Sequence, residues 1–435
     1  MITGNTEPNA AAGDTTGHPF IARGYLLGFA LVTSLFFLWA IANNFNDILI
    51  RQFQKALDLN RAEAGFIQFV FYLGYFLVAL PAGLLMRRFG YRAGILVGLG
   101  LYAAGALLFY PAAEIRQFGV FLAALFIIAS GAACLETAAN PYIVAFGDPA
   151  RAAQRLNLAQ AFNGLGGFLA PIIGGRFIFS GIEHSRESLA GMAPAELAAL
   201  RTREALMVQT PYLVLAALVI AIAIAVALVK LPKVAVAPAA ADRPLRGLLA
   251  LLRTPALGGA VVAQFFYVGA QVGIWSFFVD FVKDLSPATP ERTAAYLLSA
   301  SLVLFMLGRF LGAALMQKID SVRLLGIYAA ANVVLLGVAI VAPSYAAIGA
   351  LMLTSFFMSI MFPTIFALGV RDLGPSATLG SSLIIMAIIG GAIFPPLMGF
   401  VSVNTHRIQL AMLLPLGCFA VIWAYARSVA RTLAV

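Results

Sequence analysis

Residues 121–146 read FLAALFIIASGAACLETAANPYIVAF, an apolar run with one carboxyl side chain, Glu136, in its interior. A helix needs ~20 residues to cross the hydrocarbon core of a bilayer. An ionised carboxylate in such a segment is costly unless it faces a polar cavity. A carboxyl group there can bind and release a proton, and an apolar surround favours its uncharged form. A second acid, Asp47, stands near the end of another such run, SLFFLWAIANNFNDILI at 34–50. These two acids make a membrane protein with internal proton chemistry the first expectation.

Composition agrees. The 435-residue chain is 62% hydrophobic and only 11% charged, with a mean hydropathy of +0.95, whereas soluble domains are about half apolar. Twelve near-continuous apolar stretches from about residue 24 to about residue 430 predict an all-α membrane protein of twelve transmembrane helices. The polar stretch 1–23 has no basic n-region and no small-residue cleavage site, so the first run reads as a retained helix and 1–23 as a tail. An even number of spans puts both termini on one side. Assigning that side to the cytoplasm places sixteen Lys and Arg residues inside and eleven outside, with Arg309 alone inside a span.

The net charge of +10 therefore reports topology, and no soluble basic domain remains to bind nucleic acid. Cys134 and Cys418 fall in apolar spans, where thiols behave as small hydrophobes. No disulfide framework or metal-ligand spacing is present. His18, His184 and His406 lie in the tail and loops, which leaves an intramembrane proton step to carboxylates. The chain has no phosphate-binding G-x-x-x-x-G-K-[ST] loop, no nucleophile–base pair and no metal motif in its spans. It is expected not to be an enzyme, to need no cofactor, and to draw its energy from an ion gradient.

Features recur in order about a Pro-, Ala- and basic-rich segment, LPKVAVAPAAADRPLRGLLALLRTP at 231–255. Phe36-Phe37 returns as Phe265-Phe266, Gly83 of GLLMRRFGYR returns as Gly312 of GAALMQKIDSVR, and ANPYIVAFG around Pro141 returns as MFPTIFALG around Pro363. Such self-similarity is the trace of a duplicated unit. It divides the chain into the tail 1–23, a six-helix half 24–230, a cytoplasmic linker 231–255 and a second six-helix half 256–435.

Polar residues inside the spans fall at helical spacing, so each set lines one face. The sets are Trp39, Asn43 and Asp47; Glu136 and Asn140; Asn157, Gln160 and Asn163; and Gln264, Tyr267, Gln271 and Trp275. Lipid offers these groups no partners, so the faces must meet protein or water. Amides can also simply join helices to one another, and Asp47 near a span end can be a solvated cap. A hexose, with many hydroxyls and an apolar C–H face, suits amides combined with tryptophan. Arg309 in LGRFLG reads either as a helix-end residue reaching the interface or as a partner for a carboxylate or substrate.

The six-plus-six parallel repeat with a basic linker resembles the major facilitator transporters. Their loop pattern Gly-x-x-x-Asp-Arg-x-Gly is kept at Gly83, Arg88 and Gly90, but Arg87 stands where the acid is usual. The strings SLFFLWAIANNFNDIL, ALFIIASGAACLETAANPY, RLNLAQAFN and AQFFYVGAQVGIWSF are similar to the fucose, glucose/galactose and N-acetylhexosamine permease group, above all to its L-fucose:proton symporters. The resemblance implies a monomeric, multi-pass protein of the bacterial inner membrane that imports a monosaccharide, L-fucose or a related hexose, with a proton. Glucose/galactose or N-acetylglucosamine transport, sodium coupling and proton-antiporting export are the alternatives. It implies that Asp47 and Glu136 couple the proton. The polar faces place the sugar at Trp39, Asn43, Asn140, Gln160, Asn163, Tyr267, Gln271 and Trp275, and the resemblance adds Phe362, which stands where fucose carriers tend to have tyrosine.

Overall fold

Backbone in hydrocarbon must satisfy its own N–H and C=O groups, and this chain does so as helix. The computed structural model describes residues 20–21, 24–57, 59, 61–177, 191–229, 231 and 250–433. Most of the tail 1–23 and of the linker 231–255 lies outside the described residues, as does the side chain of Asp47.

The first half comprises α1 (Leu26–Leu57), α2 (Arg61–Phe89), α3 (Tyr91–Ile115), α4 (Phe118–Val144), α5 (Ala152–Phe177), a short α6 (Pro194–Leu206) and α7 (Gln209–Leu228). In the second half, α8 (Pro255–Ser276) continues into α9 (Phe278–Leu285), and α10 (Glu291–Leu315) and α11 (Ser321–Val341) follow unbroken. The last three crossings are each interrupted, as α12 (Ser344–Met358) with α13 (Met361–Val370), α14 (Ala377–Met386) with α15 (Gly390–Thr405), and α16 (Ile408–Ala411) with α17 (Leu413–Leu433).

Among the described residues, eleven helical segments are long and apolar enough to cross a membrane. The twelfth predicted crossing is α5, whose 26 residues give the needed length. Its apolar character is diluted by Asn157, Gln160 and Asn163, the same residues the spacing singles out.

The break between α12 and α13 has a local cause. Pro363 lacks an N–H and cannot donate to the Ser359 carbonyl four residues back. That carbonyl instead accepts from Arg309 Nε of α10 at 3.1 Å.

The sequence repeat reappears as repeated packing. α5 lies on α1, and α15 lies on α8. A Cβ built on Gly166 of α5 would stand 2.6 Å from the Phe37 carbonyl oxygen, and one built on Gly390 of α15 would stand 2.1 Å from that of Phe265. In each half a glycine lets one helix approach the backbone that carries the Phe-Phe pair, closer than any side chain would allow.

The halves meet through α2 against α14 and α5 against α10. Thr378 Oγ1 donates to Tyr91 Oη at 2.9 Å, and Asn157 Nδ2 donates to Thr364 Oγ1 at 3.1 Å. Both bonds lie toward the end of the bundle where α7 finishes and α8 begins, the end at which the linker joins.

Gly166→Ala should force α5 away from α1, an overpacking cost of ~1–3 kcal/mol. A lowered melting temperature of the purified protein is the expected result, and an unchanged one would contradict the packing described.

Candidate functional site

The polar stripes converge between the halves on a cavity of about 450 Å³, a size usual for a small-molecule site. Trp39, Asn43, Glu136, Gln160 and Asn163 line it from the first half, and Gln271, Trp275, Arg309 and Phe362 from the second. Its mouth, near Gln68 at the start of α2, Ser276 at the end of α8 and Leu298 in the first turns of α10, lies away from the linker end.

Glu136 sits where α4 passes the cavity and is only 5% exposed. Its Oε1 accepts from Tyr75 Oη at 3.1 Å, and Tyr75 Oη accepts in turn from Asn43 Nδ2 at 3.4 Å. The acid is thus tied through a tyrosine to the face of α1 that carries Trp39. Asp47 is one turn further along that helix, and its side chain lies outside the described residues.

Behind Glu136, Asn140 Nδ2 donates to the Glu136 carbonyl at 2.9 Å, and Asn140 Oδ1 accepts from Gln160 Nε2 at 3.4 Å. Asn140 is fully buried and supports the wall without lining it. Tyr267 is likewise buried, packed edge-on beneath Phe362 with ring centroids 6.3 Å apart, and does not line the cavity either. Every other described residue expected to touch a substrate does line it.

Arg309 forms the floor. It is 4% exposed, in α10 and not at a helix end, so the interfacial reading does not hold. Besides the Ser359 carbonyl, it donates through Nη1 to the Gln160 carbonyl, to Gln160 Oε1 at 3.4 Å and to Asn163 Oδ1 at 3.0 Å. Asn163 Nδ2 then donates to the Phe36 carbonyl at 3.2 Å. One guanidinium therefore joins α10, α12 and α5, with α1 attached through Asn163. Phe305 supports it from one face, the Arg309 Cζ lying 4.4 Å from the ring centroid. Glu136 lines the same cavity, yet the two do not form an ion pair within 4.0 Å.

On the second-half wall, Trp275 Nε1 donates to Ser355 Oγ at 3.1 Å, and Ser355 and Ser301 hydroxyls share a hydrogen bond at 2.6 Å. The indole stands edge-on to Phe305, with centroids 5.0 Å apart. These contacts fix the ring plane and leave part of it facing the cavity. Among the described residues, no three His, Cys, Asp or Glu side chains group as metal ligands.

The apolar run at 64–86 predicts α2 as a crossing, but its cavity-facing side is not among the expected site residues. Gln68, Tyr72 and Tyr75 all line the cavity, and their spacing of four and three puts them on one helical face. That stripe was visible in AGFIQFVFYLGYF, but tyrosines at helical spacing in apolar runs usually pack in the core.

A Major Facilitator Superfamily profile matches residues 24–395. The chain is 44% identical over 415 residues to the L-fucose-proton symporter of Escherichia coli K12, covering 94% of this chain and 95% of that one. It is 39% identical over 405 residues to a glucose/galactose transporter of Brucella abortus, covering 92% and 93%. Among solved structures, the major facilitator transporter FucP in its outward conformation superposes with a TM-score of 0.87 at 44% identity, covering 94% of this chain and 99% of that one.

Arg309→Lys keeps the charge, but one ammonium cannot reach Ser359 and both α5 side chains in a planar fork. Loss of two such bonds should cost ~1–3 kcal/mol. The expected readout is a lower melting temperature than wild type, and equal stability would show that the clasp is incidental.

Proposed function

This chain belongs to the major facilitator superfamily, and we propose that it imports a monosaccharide, L-fucose or a related hexose, together with a proton by alternating access. Glu136 carries this reading: a buried carboxyl group in the wall of a cavity whose other polar lining is mainly amides, with tryptophans beside them and Arg309 at the floor. Amides and indoles suit a sugar, whereas a buried carboxyl group suits a proton. The names of the relatives at 44% and 39% identity point the same way.

In the proposed cycle, sugar hydroxyls pair with the amides of Asn43, Gln160, Asn163 and Gln271. The C–H face lies on the rings of Trp39 and Trp275. Asp47, just past the apolar membrane-crossing segment of α1, which continues as helix to Leu57, helps load proton and sugar. Glu136 holds the proton while the linker end is sealed and releases it once that end opens, with Arg309 as the cation across the cavity. The halves 24–230 and 256–435 rock about the sealed floor. No further cofactor takes part, no covalent chemistry is involved, and one chain suffices.

The basic-residue count supports a cytoplasmic linker and cytoplasmic termini in a bacterial inner membrane. On that assignment the described state faces outward, since the inter-half hydrogen bonds seal the linker end. A second reading, with glucose or galactose as the sugar, is favoured by the Brucella relative and by Phe362, which offers the cavity no hydroxyl.

Two measurements in proteoliposomes test this. Glu136→Gln should abolish uphill uptake driven by a pH gradient while leaving sugar exchange measurable, and undiminished uphill uptake would sink the proton assignment. With the wild-type protein, addition of L-fucose should alkalinise the outside medium. Acidification would mean antiport, dependence on sodium would mean a different coupling ion, and a response only to glucose or galactose would move the substrate to the second reading.

A further inference from the structure

α11 and α17 pack against each other in antiparallel fashion on the outer side of the second half. Toward the linker end they leave a groove of about 570 Å³ between them. The groove exists because Gly326 and Ala330 of α11 face Ala426 and Ala430 of α17, side chains too small to fill the gap. Its rims are Ile327, 50% exposed, and Trp423, 39% exposed, so it opens onto the surface that meets the bilayer.

The groove ends in two cations. Arg323 is in the first turn of α11 and Arg427 in the last turns of α17, and both line it. The Arg427 Cζ lies 4.7 Å from the Trp423 ring centroid, which holds the guanidinium beside the groove. Among the described residues, no acid lies within 4.0 Å of either guanidinium. Among the described residues, the one carboxylate lining the groove is Asp320. Its Oδ1 is committed to the start of α11, accepting from Val322 N at 2.9 Å and Arg323 N at 3.2 Å.

We propose that this groove is a binding site for an anionic phospholipid, with an acyl chain against the small side chains and the phosphate between Arg323 and Arg427. Two cations that no described acid pairs, at the depth of helix ends, call for an anion. A tryptophan beside them fits the headgroup level, where its ring has one apolar and one wet side. A zwitterionic lipid matches the cations less well, and a free anion leaves the apolar length of the groove empty. The site is separate from the central cavity and does not depend on which sugar is carried.

The test uses the full chain purified in detergent, followed by native mass spectrometry and thermal melting with added phosphatidylglycerol, phosphatidylcholine or inorganic phosphate. Phosphatidylglycerol should bind and raise the melting temperature, with phosphatidylcholine and inorganic phosphate doing markedly less. Arg323→Gln with Arg427→Gln should weaken phosphatidylglycerol binding about tenfold or more. Ala430→Leu, which fills the groove and leaves both charges, should weaken it comparably. Arg253→Gln, a cation removed at the same end but outside the groove, should change nothing. Equal stabilisation by phosphatidylcholine, full stabilisation by phosphate alone, or unaltered phosphatidylglycerol binding in the double arginine and Ala430→Leu variants would each overturn the assignment.

Discussion

A polar group on a membrane-crossing helix has to find its partner inside the protein or in a water-filled space, because lipid supplies none. Arg309 shows how far this constraint reaches. Its charge is carried into the bundle, and the carbonyl it needs on its own half is one that Pro363 has released from helical hydrogen bonding. Its remaining donors turn to Gln160 and Asn163 of the other half. The floor of the cavity is therefore a polar seam between the two halves, which bond again toward the linker end through Tyr91 with Thr378 and Asn157 with Thr364. Three of the guanidinium's hydrogen bonds cross that seam.

The two halves repeat in backbone and diverge in chemistry. Gly166 and Gly390 serve the same close helix approach, on Phe37 and Phe265. Around that shared frame each half supplies one indole, the first half adds the carboxyl group and most of the amides, and the second adds the guanidinium and the broken helices. A duplicated scaffold gives a symmetric hinge, while unlike side chains allow the charge states of the two walls to differ. Glu136 is held from its own half, through Tyr75 and the α1 face, and Arg309 is held mainly across the interface.

Much of the cavity could be read from helical spacing, since amides three and four apart on apolar spans have few other places to go. That rule placed Trp39, Asn43, Gln160, Asn163, Gln271 and Trp275 on its walls. It could not separate lining from backing. Asn140 and Tyr267 share their faces with lining residues but sit one layer behind, where Gln160 and Phe362 cover them. Nor did it find Tyr75, because a tyrosine among phenylalanines carries no signal until a neighbouring helix brings an acid to its hydroxyl.

The sequence by itself determined the membrane class, the crossings and the duplication. Each follows from hydrophobic length or from periodic recurrence, and both are properties of one segment at a time. Tertiary structure alone decided which polar faces meet, that the carbonyl freed by Pro363 belongs to Arg309, and that Glu136 answers to Tyr75. It also decided which end is sealed. Those outcomes depend on distances of about 3 Å between residues far apart in the chain, and at that range a hydrogen bond forms or fails on a shift no helical pattern records.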